Sequence, residues 1–148
     1  LPKEKELLQK QIEQIIAMES EKYKKFYSMF CITYSWLKLK NRGKDIGTYL
    51  KEKEYKQVAI YGMGHIGEYL YEELENADIK VLYGIDRLAL DYKHKLPIYS
   101  IGQTLEYVDA IVITIIDDSW KIKEMVQEKM SCDVYTVEEL LYAIREEL

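Results

Sequence analysis

The chain has 148 residues, of which 48% are apolar and 32% charged, and its formal net charge is −5. This length and composition predict one globular domain, and the negative charge disfavours nonspecific binding to nucleic acid. No apolar run reaches the roughly 18 residues that a membrane span needs, and Cys31 and Cys132 lack metal-ligand spacing. We therefore expect a cytoplasmic protein without a metal site, and the first residue, Leu1, suggests a piece of a longer protein.

The first 40 residues show the spacing of one amphipathic helix. A continuous helix of this length would extend about 60 Å, so we expect it either to break near Ser20 or to pack against another surface. Gly43 is expected just after its end, and Asp45 is expected to cap a short second helix that runs to about Lys53. Residues 1–55 are thus predicted to be an N-terminal helical extension. Its apolar positions are Leu8, Ile12, Ile15, Tyr23, Phe26, Phe30, Tyr34 and Leu37.

From residue 56 to residue 148, strand and helix patterns alternate. This alternation predicts an α/β fold, a doubly wound, parallel, five-stranded Rossmann-like sheet. On the helix predicted for residues 65–76, we place Ile66, Leu70 and Leu74 inward and Glu72, Glu73 and Glu75 outward. A polar loop is predicted for residues 87–95, and Thr136 is expected to begin the last helix with a capping box. The strands are predicted at residues 57–61, 79–85, 97–99, 109–116 and 132–135.

The run Gly62-Met63-Gly64-His65-Ile66-Gly67 directly follows the first predicted strand. In a dinucleotide-binding βαβ unit, the first glycine allows the tight turn and the second lets the backbone approach a pyrophosphate. The third lets helix and strand pack closely. Free N–H groups and the positive end of the helix dipole would hold the phosphates. The alternative is a glycine-rich turn that binds no ligand.

Asp86 ends the second strand, nineteen residues after Gly67. A carboxylate there accepts hydrogen bonds from a ribose diol and repels a 2′-phosphate, which favours NAD over NADP. Arg87 follows directly and would weaken that preference. The alternative is that Asp86 only caps or solvates a loop.

Further polar residues lie at the carboxyl end of the central strand, where open α/β sheets bind ligands. We include Thr114 there among the cofactor-binding candidates, together with Met63, His65, Ile66 and Arg87 from the two turns. Asp117 and Asp118 either contact sugar hydroxyls or a metal or, as we favour, cap the next helix, in which Trp120 is expected to pack. His65 and His94 are expected to face solvent. No residue shows a pattern that assigns a catalytic role.

The stretch from Val58 to Val134 resembles the small Rossmann-type domains of bacterial surface-polysaccharide biosynthesis proteins. It is similar to the N-terminal domains of sugar O-acyltransferases and to NAD(P)-binding modules attached to glycosyltransferases and sugar epimerases. This resemblance implies binding of a nucleotide sugar or of NAD(P); Ile66, inserted between His65 and Gly67, shifts the expectation toward a plain dinucleotide. The resembling segments are residues 60–67, 84–86, 96–99 and 109–114.

Three functions follow from these observations. The first is a module that binds NAD, or alternatively a UDP-sugar or NADP, within a glycan-synthesis protein, without turnover by this piece alone. The second is an NAD-dependent sugar oxidoreductase or epimerase. The third is a degenerate Rossmann scaffold used for dimerisation. Because the long helix and the 14 tyrosines suggest an interface, we also expect a homo-oligomer formed through that helix.

Overall fold

The computed structural model describes residues 1–87 and 96–147. Within them, two N-terminal helices are followed by five strands and three further helices, which alternate except that no described helix separates the second, third and fourth strands. The elements are α1 (Pro2–Asn41), α2 (Ile46–Glu52), β1 (Gln57–Tyr61), α3 (His65–Asn76), β2 (Lys80–Ile85), β3 (Ile98–Tyr99), β4 (Ala110–Ile113), α4 (Ser119–Lys129), β5 (Asp133–Thr136) and α5 (Val137–Glu146). Of the polar loop, residues 88–95, including His94, lie outside the described residues.

The five strands form one sheet with the order β3-β2-β1-β4-β5, and every neighbouring pair is parallel. This confirms the predicted α/β class and Rossmann-like sheet. The strand order reverses direction between β1 and β4, where Tyr61 pairs with Ile113. On its other side, Tyr61 pairs with Ile85 of β2. The carboxyl ends of the three central strands therefore meet at the switch point, where such sheets bind their ligands.

The central strands are apolar on both faces, as expected for a parallel sheet covered on each side. All of β4 is buried, and in β1 only Gln57 is partly exposed. β4 was expected to run to residue 116, but it ends at Ile113. The reason is that both neighbouring strands end at the same level: β1 ends at Tyr61, after which the chain turns at Gly62, and β5 ends at Thr136, which pairs with Ile113.

The long helix is continuous from Pro2 to Asn41, which excludes the first of the two alternatives, a break near Ser20. It ends in a Schellman motif: the Gly43 N–H donates to the Lys40 carbonyl, the Lys44 N–H donates to the Leu39 carbonyl, and Gly43 has a φ of 75°. Asp45 caps α2 through a 2.6 Å hydrogen bond from the Thr48 N–H. Both terminal signals read from the sequence are therefore confirmed.

By contact density the chain divides into two compact units, Leu1–Tyr34 and Ser35–Leu148. The first unit is helical from residue 2 onward. The second contains the sheet, the C-terminal end of α1 and the short helix α2. None of the described helices combines the length and the apolar character required to cross a membrane.

Glu73 lies on the inward face of α3, and its predicted outward position is wrong. Its side chain is 5% exposed and accepts hydrogen bonds from Trp36 Nε1 at 2.9 Å, Lys40 Nζ at 2.9 Å and the Ile46 N–H at 3.0 Å. A buried carboxylate is tolerated when it is paired and hydrogen-bonded, as here. Glu73 thereby fixes the end of α1 and the start of α2 against α3.

Candidate functional site

The turn after β1 begins with a glycine that the backbone requires. Gly62 has a φ of 101°, and a Cβ there would lie 2.7 Å from side-chain atoms of both Thr114 and Ile115. Its N–H donates to the Ile85 carbonyl at 2.8 Å, which ties the turn to β2. Both conformation and packing therefore select glycine at this position.

The last glycine of the run is required by packing. A Cβ on Gly67 would lie 2.0 Å from the Gly62 carbonyl oxygen, closer than real contacts allow. The first turn of α3 consequently packs directly onto the backbone of the preceding turn, as the third glycine of the predicted motif is meant to permit.

Gly64 differs from both, because no feature of the described residues demands a glycine there. Its φ of −78° and ψ of −157° suit any residue, and a Cβ would find no described atom within 4 Å. Gly64 is exposed and occupies the N-cap position of α3, without a side chain to cap the helix. Serine or aspartate would stabilise this helix end better. The open side of Gly64 therefore leaves room for an approaching group.

The residue between the first two glycines contributes its main chain to the crevice and its side chain to the core. The Met63 side chain is fully buried and occupies the space that a Cβ on Gly84 would need, at 2.8 Å from Cγ and 3.0 Å from Sδ. The Met63 N–H donates to Asp86 Oδ2 at 2.8 Å. The packing of Met63 on β2 thus brings the glycine turn and the Asp86 carboxylate together.

Asp86 is held at the end of β2 by a hydrogen bond from its N–H to the Tyr99 carbonyl at 2.9 Å. Its carboxylate meets the glycine turn, whereas the neighbouring Arg87 is exposed. Tyr61, the last residue of β1, is 8% exposed, and burial raises the pKa of its hydroxyl. Arg87 opposes this increase in pKa and Asp86 adds to it. Tyr61 therefore stays protonated and neutral at the base of the turn.

Thr114 shapes the turn from the side of β4. Its hydroxyl is hydrogen-bonded to the Gly62 carbonyl at 2.5 Å and is 3.1 Å from the Tyr61 carbonyl, and the residue is 6% exposed. His65, in the first turn of α3, is exposed as expected, and Ile66 beside it is half-buried. The structure thus brings the three glycines, Met63, Asp86 and Thr114 to one edge of the sheet.

The start of α4 departs from the expectation. Asp118 occupies the N-cap position in a left-handed conformation, with φ 56° and ψ 30°, and its side chain caps nothing. Its carboxylate instead lies 4.0 Å from Lys121 Nζ in an exposed pair. Trp120 is 62% exposed rather than packed, and Lys123 Nζ lies 5.3 Å from the centre of its ring. The expected side-chain cap and the expected packing of Trp120 are both wrong.

Within residues 1–87 and 96–147, no three histidine, cysteine, aspartate or glutamate side chains are grouped so that they could hold a metal ion. The groups at the turn that suit a ligand are main-chain amides, which bind anions, and one carboxylate, which accepts hydrogen bonds from a sugar; the Thr114 hydroxyl is bonded to the turn itself. Comparison with family models, with curated proteins and with solved structures gave no match for the chain. The fold and the geometry of the turn are therefore the basis for any functional proposal.

Proposed function

We propose that the chain is a nucleotide-binding module that binds NAD, or alternatively NADP or a UDP-sugar. The site is the turn Gly62–Gly67 together with Asp86, at the carboxyl ends of the central strands. The observation that carries this proposal is the contrast among the three glycines. Folding accounts for Gly62 and Gly67, whereas Gly64 has an ordinary backbone and open space around it. A diphosphate that approaches the uncapped N–H groups of α3 gives a reason for glycine at this position.

The position of Asp86 supports a ribose as the second contact. One oxygen of the carboxylate is within hydrogen-bonding distance of the turn, at 2.8 Å from the Met63 nitrogen. A dinucleotide whose diphosphate lies against the turn presents its adenosine ribose to this carboxylate. The negative charge disfavours a 2′-phosphate, so NAD is the preferred ligand of this proposal.

The setting of this module within a bacterial glycan-synthesis protein rests on the resemblance alone, and its cytoplasmic location rests on the cysteine usage of the sequence. No turnover is expected from this piece. An oxidoreductase or epimerase would need an acid–base group beside the nicotinamide, and His65 is exposed with no nucleophile assigned near it. Self-association through α1 is a separate proposal that depends on the surface of that helix.

A degenerate scaffold is the second candidate, and one observation favours it. The Thr114 hydroxyl and one carboxylate oxygen of Asp86 are both hydrogen-bonded to the turn itself. Such internal bonds are expected where these residues only stabilise the fold and bind no ligand. The two candidates differ in ligand binding. A scaffold would need no nucleotide, whereas a module must bind one saturably.

Thermal unfolding with NAD, NADP and UDP-glucose separates the two candidates. A ligand at 100 times its Kd stabilises the folded state by about 2.7 kcal/mol. For a chain of this size that corresponds to roughly 5 to 10 °C. We expect such a shift with NAD and a smaller one with NADP at equal concentration. The absence of a shift with all three ligands would contradict the module and favour the scaffold.

A further inference from the structure

The first compact unit exposes a largely apolar stripe along α1. We define this stripe by eight positions that recur every three or four residues, so that they share one face of the helix. Seven of these are large apolar side chains, 49% to 70% exposed, and the eighth is Glu19. Singly exposed apolar residues are ordinary, but a contiguous patch of this kind marks an interaction surface. The positions are Leu8, Ile12, Ile16, Glu19, Tyr23, Phe26, Phe30 and Tyr34.

The spacing of the stripe reads the same in both directions. Its steps are 4, 4, 3, 4, 3, 4 and 4 residues, which are symmetric about Glu21. Two copies of the helix laid antiparallel about a two-fold axis at Glu21 therefore bring every stripe position opposite another stripe position. In this register Ile12 faces Phe30, Ile16 faces Phe26, and the carboxylate of Glu19 faces the hydroxyl of Tyr23, which can donate to it.

Side-chain size distinguishes this orientation from the parallel one. The apolar stripe positions before Glu19 are aliphatic, and all those after it are aromatic. In the antiparallel register each apolar layer contains one aliphatic and one aromatic side chain, so the two helices can keep a constant separation. A parallel pair would stack aromatic on aromatic at one end and aliphatic on aliphatic at the other, which leaves either gaps or overlap.

Charge favours the same arrangement. Within the paired segment, residues 8–21 carry one lysine and three glutamates, whereas residues 22–34 carry three lysines and no acidic residue. Packed helices lie about 8 to 10 Å apart, within roughly one Debye length at physiological salt, so these charges influence each other. An antiparallel pair sets the acidic half of one helix beside the basic half of the other. A parallel pair would set like charges side by side.

The area available matches what a specific dimer requires. An aromatic side chain offers about 150 to 250 Å², so one that is half to two-thirds exposed contributes on the order of 100 Å². The four aromatic stripe residues therefore offer about 400 Å² per copy, and the four aliphatic residues, Ile15 included and 49% to 60% exposed, bring the exposed apolar area to somewhat under roughly 800 Å². This is about the area that each partner buries in a standard protein interface.

We propose that residues 8–34 of α1 form an antiparallel pair with the same segment of a second copy of this chain, about a two-fold axis at Glu21. The surface is self-complementary in spacing, in side-chain size and in charge, which is the condition for a two-fold interface. This interface is independent of nucleotide binding, so either proposal can fail without the other.

Sedimentation equilibrium of the full chain over the micromolar range tests the association. Ile16→Glu places a charge within the stripe against Phe26 of the second copy, and we expect the dimer to weaken at least tenfold. Ala17→Glu adds the same charge one residue away, on the polar face, and is expected to leave the dimer unchanged. Far-UV circular dichroism checks that both variants remain helical. A wild-type chain that stays monomeric, or an Ile16→Glu variant that dimerises like wild type, would overturn the proposal.

Cysteine cross-linking tests the orientation. In a background with Cys31→Ala and Cys132→Ala, Ile12→Cys and Phe30→Cys variants are mixed and oxidised. The antiparallel register predicts disulfides between the two different variants and none within either one alone. Disulfides only between identical variants would show a parallel pair and refute the register. Binding of a monomeric chain to vesicles of phosphatidylglycerol and phosphatidylcholine would assign the stripe to a lipid surface instead.

Discussion

Replacing Gly64 with serine separates what the fold requires from what a ligand requires. The backbone at this position, with φ −78°, accepts a serine, and the added Cβ meets no described atom within 4 Å. A serine at an N-cap also accepts a hydrogen bond from the second or third N–H of the helix. The fold of the unliganded Gly64→Ser variant is therefore expected to be intact and its helix end slightly better capped.

The expected magnitudes differ greatly between stability and binding. Exchanging glycine for serine at an N-cap changes the free energy of unfolding by a few tenths of a kcal/mol, about 1 °C in Tm or less. The same side chain fills the space that a diphosphate needs and takes up one of the N–H groups that would bind it. Because the filled space also keeps the diphosphate away from a second N–H group, two hydrogen bonds to a charged group are lost. Their loss costs about 3 to 6 kcal/mol, so the Kd for NAD should rise at least about 100-fold.

Thermal unfolding with and without NAD is the assay for this variant. At a concentration that gives the wild-type chain about 2.7 kcal/mol of stabilisation, a 100-fold weaker Kd leaves only about 0.4 kcal/mol. We therefore expect the shift to fall from roughly 5 to 10 °C to about 1 °C. Gly102→Ser is the matched control, since a Cβ at Gly102 also meets no described atom within 4 Å. It should keep the full shift.

Two results would refute this reasoning. If Gly64→Ser retains the full NAD shift, no diphosphate approaches Gly64. If the unliganded variant is several degrees less stable than wild type while Gly102→Ser is not, folding itself requires glycine at position 64, and the contrast among the three glycines disappears.

Three other substitutions test separate parts of the structure. Glu73→Ala leaves the buried Trp36 Nε1 without its acceptor and should lower the free energy of unfolding by about 3 kcal/mol, or the Tm by about 6 to 12 °C. The control Glu72→Ala removes an exposed glutamate from the same helix and should change the Tm little. Asp109 accepts hydrogen bonds from backbone N–H groups at the start of β1, and these bonds lower the pKa of its carboxyl below 3.8. The ionised carboxylate therefore stabilises the fold above about pH 4, and this contribution is lost as the pH falls through the lowered pKa. Urea unfolding should give wild type a higher free energy of unfolding than Asp109→Asn at about pH 6, and this difference should shrink toward about pH 3. A difference in the free energy of unfolding that does not change with pH would contradict the prediction. Asp86→Asn should raise the Kd for NAD and lower the ratio of the Kd for NADP to the Kd for NAD in calorimetric titrations. An unchanged ratio would show that Asp86 does not contact the ribose.

The sheet could be predicted from the sequence because each signal was local. The strand at residues 57–61 and the helix at residues 65–76 have the predicted limits, since an apolar run, a glycine turn and an amphipathic period define them without reference to the rest of the chain. The caps at Asp45 and Thr136 are equally local; each accepts a hydrogen bond from the backbone N–H three residues later. Consistent signals of this kind are typical of a well-specified fold.

What the sequence did not reveal depends on contacts between distant segments. Glu73 was assigned to solvent because glutamate usually is exposed, yet Trp36 and Lys40, more than 30 residues earlier, bury and pair it. Its place one turn after Leu70, at the edge of the inward face about 60° around the helix from that residue, was the available signal. The end of β4 similarly depended on where β1 turns away, and the left-handed Asp118 has no counterpart in the sequence pattern.

The central claim is that main-chain amides at the start of α3 receive the diphosphate of a nucleotide. Titration of the ¹⁵N-labelled chain with NAD, followed by amide chemical shifts, tests it most directly. We expect saturable shifts at Met63, Gly64, His65 and Gly67 and at Asp86, while Gly43 and Gly102 stay unchanged. Spectra that do not respond to NAD, NADP or UDP-glucose, or that respond only at residues away from this turn, would contradict the account.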